Sequence, residues 1–156
     1  MRLSLVRVFI AGLAIASATL VTTAQSRPDL NGTWKMNPTQ SKFGDPEAAP
    51  KEVVIRFEQQ GQTLHETLTV VSPRGKSTVS LNYALNGSVS INHLDDEEIR
   101  STANWIGEEL VLAWSDKGGT FTRRFTFSDK GRKIIVNSHD TNPDGQTNDL
   151  FVFEKQ

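Results

Sequence analysis

The chain has 156 residues, no cysteine, and 17 basic against 18 acidic side chains, a net charge of −1. No disulfide framework and no thiolate chemistry can be built from it. Near-balanced, scattered charge argues against an electrostatic nucleic-acid binder.

The amino terminus reads first as an address. Arg2 and Arg7 give a basic start, residues 8–21 (VFIAGLAIASATLV) are almost continuously apolar, and residues 22–24 (TTA) are small. This is the pattern of a secretory signal peptide cleaved after Ala24. The run is shorter than the roughly 20 residues a spanning helix needs. No cysteine follows to carry a lipid, so no membrane attachment is expected after cleavage. The expected location is the periplasm or the cell exterior. The expected mature domain, residues 25–156, holds 15 basic and 18 acidic residues, a net charge of −3. At about 132 residues it is one domain, long enough to bury a core without staples.

From there the chain reads as strand after strand. GTWKM (32–36) comes first. NPTQSKFG (37–44) predicts a short helix, with Asn37 as cap, Pro38 in the first turn and Gly44 past the end. DPEAAPK (45–51) reads as extended chain stiffened by Pro46 and Pro50. VVIRF (53–57), TLHETLTV (63–70), TVSLNYAL (78–85), VSINH (89–93), IRSTANWI (99–106), ELVLAW (109–114), TFTRRFTF (120–127), KIIVNSH (133–139) and DLFVFEK (149–155) alternate apolar and polar residues with period two. That is the signal of half-buried antiparallel strands. Short joints such as NGS (86–88), DKGG (116–119) and DKGR (129–132) supply turn residues. The expected architecture is all-β: an up-and-down antiparallel meander of about 8–10 strands, closed into a barrel so as to remove its edges.

The stretch around Gly32 and Trp34, followed by a short link and a long meander, resembles the calycin superfamily, the lipocalins and fatty-acid-binding proteins. The resemblance implies that Trp34 plugs one end of the barrel. It implies that Gly32 allows close approach there, and that a late basic residue, Lys155 or Arg123, packs over the tryptophan. Over the whole mature chain, LNGTWKMNPTQSKFG, SDKGRKI (128–134) and LFVFEKQ (150–156) are similar to a group of small exported bacterial proteins with lipocalin-like barrels. Those carry G-T-W-x-L-N, K-S-x-F-G, S-x-D-G-K and a terminal Y-x-K-Q. Lys130, Arg132 and Phe153 depart from that pattern.

Four polar residues fall in register with the apolar face: Glu66, Tyr83, His93 and Arg123. Two readings compete for them. Arg123, with Tyr83, meets the polar group of an amphipathic ligand in the interior, since a guanidinium fork suits a carboxylate. Alternatively Arg123 pairs internally with Glu66, or sits at the rim in solvent, because a buried charge needs a partner. Trp105 and Trp114 share the inward pattern and either line a pocket or fill the core. Asp140, Asn142, Asp144, Gly145 and Asn148 imitate the first half of a calcium loop. Thr147 and Phe151 break that motif, so the stretch reads as a hairpin turn. No nucleophile motif, phosphate loop or set of converging metal ligands stands out, and neither metal nor cofactor is expected. The residues leave three functions in contention: a barrel binding a small apolar or amphipathic molecule, a filled barrel acting through its surface in the cell envelope, and an enzyme using Glu66 or His93 as acid or base.

Overall fold

A computed structural model describes residues 27–156; the expected signal peptide and its cleavage site lie outside the described residues. Ten strands follow in chain order: β1 Gly32–Met36, β2 Glu52–Gln60, β3 Thr63–Ser72, β4 Gly75–Ala84, β5 Ser90–Leu94, β6 Glu97–Ile106, β7 Glu109–Asp116, β8 Gly119–Ser128, β9 Lys133–Asn142 and β10 Gly145–Lys155. All ladders are antiparallel, in the order β4-β3-β2-β1-β10-β9-β8-β7-β6-β5. The first strand thus pairs with the last, and the barrel lacks a ladder only between β4 and β5. Several strands run further than their apolar residues do. Gly75–Thr78 and Gly145–Asn148 stay in the ladder although their side chains are polar or absent, because backbone pairing requires no apolar side chain.

At the β4–β5 gap a side chain does the work of a backbone. The Asn92 amide accepts from the Asn82 N–H at 2.7 Å and donates to the Asn82 carbonyl at 3.0 Å. Ser101 Oγ donates to the same carbonyl at 2.8 Å, and Asn92 Nδ2 donates to Ser101 Oγ at 2.9 Å. One carboxamide carries the donor and acceptor of a peptide unit, so Asn92 stitches the two edges at a single point.

One end of the barrel is solid. Leu30, Trp34, Phe57, Leu64, Leu110, Phe125 and Ile134 are all essentially without solvent exposure. Trp34 Nε1 donates to the Leu30 carbonyl at 3.2 Å, so the buried indole leaves no polar atom unpaired. The Lys155 ammonium stands 5.2 Å from the Trp34 ring centroid, a cation–π contact. Gly32 explains how it gets there. A Cβ at Gly32 would stand 3.0 Å from Lys155 Cε, and its φ of +123° disfavours any other residue. Of the two basic residues expected near Trp34, Lys155 takes the position.

The helix expected over 37–44 does not form; the described residues contain no α-helix, only a 3₁₀ turn at Asp129–Gly131. Asn37 does cap a turn, its Oδ1 accepting from the N–H groups of Thr39 and Gln40 at 3.1 and 3.3 Å. The turn then stops, because Lys42 exchanges both backbone hydrogen bonds with Leu150 of β10, at 2.7 and 2.8 Å. Where β1 ends, β10 still has free ladder positions, and pairing them outcompetes a second helical turn. Gly44 is needed for packing rather than as a helix stop: a Cβ there would approach the Asn148 carbonyl to 2.9 Å. Residues 37–51 therefore form a strap along the mouth, the end opposite Trp34.

Candidate functional site

Alternation puts Glu66 on β3, Tyr83 on β4 and Arg123 on β8 all inward, and all are buried. β3 and β8 lie on opposite walls, so the Arg123 side chain crosses the lumen to reach its partner. Its Nη1 donates to Glu66 Oε1 at 2.7 Å and its Nη2 to Oε2 at 2.5 Å, a bidentate pair with side chains 6% and 2% exposed. Tyr83 Oη donates to Glu66 Oε2 at 3.1 Å. The guanidinium carbon lies 4.5 Å from the Trp114 ring centroid. Burial works against the Arg123 charge, but Glu66 and Tyr83 outweigh it and hold the group cationic more firmly than in water. Burial first, then the Glu66 charge, pushes the Tyr83 phenol well above its ordinary value, so it remains a neutral donor. Among the described residues, Arg123 Nε is the buried side-chain nitrogen or oxygen left without a hydrogen-bond partner.

This triad forms a floor across the barrel, with the solid half beneath it. On the mouth side the lining is apolar and incompletely filled. Two cavities of about 220 Å³ each flank the stacked Trp114–Phe121 pair, whose ring centroids are 4.9 Å apart. One is walled by Val53, Val70, Val136 and Phe151, with Ser138 and Asp140 at its edge and Pro50 of the strap above. The other is walled by Val79, Leu81, Leu94 and Ile99 beside the β4–β5 gap, with Asp116 at its edge. Leu68, Trp114, Phe121 and Arg123 belong to both. Asp140 is half-buried. Burial raises its carboxyl above the usual value, against the hydrogen bond it accepts from Ser138 Oγ at 3.0 Å.

Of the residues singled out in the sequence, Glu66, Tyr83, Arg123 and Trp114 come together. Trp105 does not join them. It faces inward at the plugged end, against Phe127 at 5.8 Å and under the Arg27 guanidinium at 5.1 Å. His93 is a correction: it faces solvent, as do Val89 and Ile91, while Asn92 turns inward. The two-residue turn Asp95–Asp96 pairs Leu94 with Glu97 and Asn92 with Ile99, whose side chain is in the core. Because directly opposite residues share a face, that turn length fixes Asn92 inward and His93 outward, and an acid–base role for His93 inside the barrel falls with it. Counting back from the turn would have found this; following Val89 and Ile91 as apolar residues could not.

The calcium-like stretch is a hairpin turn. Asn142 pairs with Gly145, and the Asp144 N–H is bonded to Asn142 Oδ1 at 2.9 Å. Asp140 lies against the interior cavity while Asp144 is exposed, so the would-be ligands do not converge. Among the described residues no group of three or more His, Asp or Glu is placed to hold a metal ion.

No family model and no curated protein matches the chain. Solved structures do. An abundant heat soluble (SAHS) protein of Ramazzottius varieornatus superposes with a TM-score of 0.60 at 11% identity, over 81% of this chain and 94% of that one. The zebrafish ileal bile acid-binding protein, solved with cholic acid, gives 0.53 at 16% identity, over 81% and 98%. Fatty-acid-binding protein 1 of Echinococcus granulosus gives 0.51 at 13%, over 80% and 96%. At such identities the likeness is one of fold, and the fold is a nearly closed ten-stranded barrel of the lipocalin and fatty-acid-binding-protein type.

Proposed function

We propose that this chain is an exported barrel that binds a small apolar or amphipathic molecule in the mouth-side half of its interior. The observation that carries the reading is the unfilled apolar space on one side of a polar floor built on the bidentate Arg123–Glu66 pair. Small-molecule sites are mostly apolar with a few fixed polar groups, and that is the composition of this half. Each cavity falls short of the roughly 300–1,000 Å³ of a drug-sized site. The two share Leu68, Trp114, Phe121 and Arg123 as a common wall, so they adjoin within the same half of the barrel. The zebrafish structure with cholic acid supports the reading by analogy of fold. Export rests on the basic start, the apolar run and the small residues before Gln25.

The test is native mass spectrometry of the protein purified from the organism that makes it. A noncovalent small-molecule adduct on a chain beginning at Gln25 is the expected result. Bare protein in every preparation speaks against the ligand, and a chain retaining Met1 in the membrane fraction speaks against cleavage and export.

A further inference from the structure

We propose that the ligand is an uncharged molecule whose polar end is a hydrogen-bond acceptor, a ketone or ester carbonyl, received by the Nε–H of Arg123, and that carboxylate-bearing lipids are rejected. The inference rests on the ligand-binding reading above.

The first observation is that the arginine is already spent as an ion. Both terminal nitrogens of Arg123 bind Glu66, and Tyr83 completes the carboxylate's bonding. A ligand carboxylate could take the fork only by displacing Glu66, which would strand a buried charge. The second is what Arg123 still offers. Its Nε–H is buried and unpaired, and Arg123 lines both cavities. A buried donor without a partner is costly, and an acceptor delivered by the ligand relieves that cost. A carbonyl oxygen is such an acceptor; a protonated amine carries only donors and leaves the N–H unpaired.

The third observation is the charge around the space. Glu66, Asp116 and Asp140 line the two cavities together, and among the described residues Arg123 is the only basic one in their linings. An entering anion therefore meets two carboxylates in excess in a region of low dielectric, where like charge is penalised strongly. Asp140 has Ser138 as its hydrogen-bonded neighbour rather than a cation. An organic cation suits that field but finds little aromatic surface: the Trp114 ring is stacked on Phe121 and covered by the guanidinium. A neutral acceptor satisfies the free donor without adding charge.

The experiment compares four probes of equal alkyl length on the full mature chain: a methyl ketone, the carboxylate, the primary amine and the plain alkane. Each displaces a neutral naphthylamine dye at neutral pH. The ketone is expected to bind about tenfold tighter than any of the other three, a difference of about 1.4 kcal/mol. Arg123→Lys keeps a cation opposite Glu66 and lacks the Nε–H, so it should bring the ketone down to the affinity of the alkane. Asp140→Asn should narrow the gap between carboxylate and ketone. If Arg123→Lys does not fold, the ranking on the native chain decides alone. A carboxylate or amine that binds as well as the ketone overturns the inference while leaving the ligand reading intact. Failure of all four to displace the dye, or failure of the dye to bind, removes the ligand reading and this inference with it.

Discussion

On the Trp34 side of the Glu66–Arg123 pair the barrel is solid, and on the Trp114 side it is not, although the same strands run through both halves. Beneath the pair, the aromatic and aliphatic side chains meet from all walls, and Trp34, Phe57 and Phe125 are sealed from solvent. Beyond it, Leu68, Val70, Val79, Trp114 and Phe151 are equally apolar yet only partly buried. The two halves scarcely differ in side-chain hydrophobicity. The difference lies in closure: β1, the plugging strand, is five residues long, and past Met36 a strap held to β10 replaces it. Close packing thus lies at one end of the axis and the surface proposed for binding at the other.

The largest effect should come from the solid half. Trp34→Ala should cost about 3–5 kcal/mol, the range for truncating a buried large aromatic, read from a urea titration. A loss under about 1 kcal/mol would show that the plug does not hold the barrel and would erase the contrast. The floor comes next. Arg123→Gln should cost about 3 kcal/mol by leaving the buried Glu66 carboxylate without its cation, with Tyr83 still bonded to it. Glu66→Gln in that background should recover part of the loss, and simple additivity of the two changes would deny the pair.

A smaller effect is expected at the edge of the mouth half. Asn92→Ala removes the stitch across β4 and β5 and should cost about 1–3 kcal/mol, the usual range for leaving buried groups unpaired. The discriminating readout is the Asn82 amide, whose hydrogen exchange should accelerate well beyond that of its neighbours. Unchanged protection of Asn82 would mean that some other contact closes the gap.

The smallest effect has the opposite sign. Burial raises the Asp140 carboxyl in the folded protein above its ordinary value, so the folded state holds this proton more tightly than the unfolded chain. Stability from this group is present below the unfolded pKa and is lost as pH rises through the folded pKa. Asp140→Asn should therefore raise the melting temperature at neutral pH, and the advantage should vanish in acid below the unfolded value. A melting temperature lowered by the substitution at neutral pH would show that the carboxylate is stabilised where it sits.

Much of the fold was legible because strand periodicity and turn chemistry are local. The Asn37 cap was legible too, but the competition that cut the helix short is not: free ladder positions on β10 lie more than a hundred residues away in sequence. His93 was lost to a similar error, since Val89 and Ile91 look like core residues until the Asp95–Asp96 turn is used to count register. At the site, alternation placed Glu66, Tyr83 and Arg123 on one face. It could not show that two of them meet across the lumen, because that distance depends on closure of the whole barrel. Asn92 carries no signal in the sequence, and Asp140 shows there only as part of a calcium-like turn, for the same reason: each acquires its meaning at the site only from what faces it.

The most direct measurement is a methyl NMR titration of residues 25–156, the expected mature domain, with a long-chain methyl ketone. Saturable shifts are expected at the methyls of Leu68, Val70 and Val79, with those of Leu30, Leu64 and Leu110 unmoved. Saturation with no interior methyl shifting, or shifts in the Trp34 half as large as those in the mouth half, would contradict it.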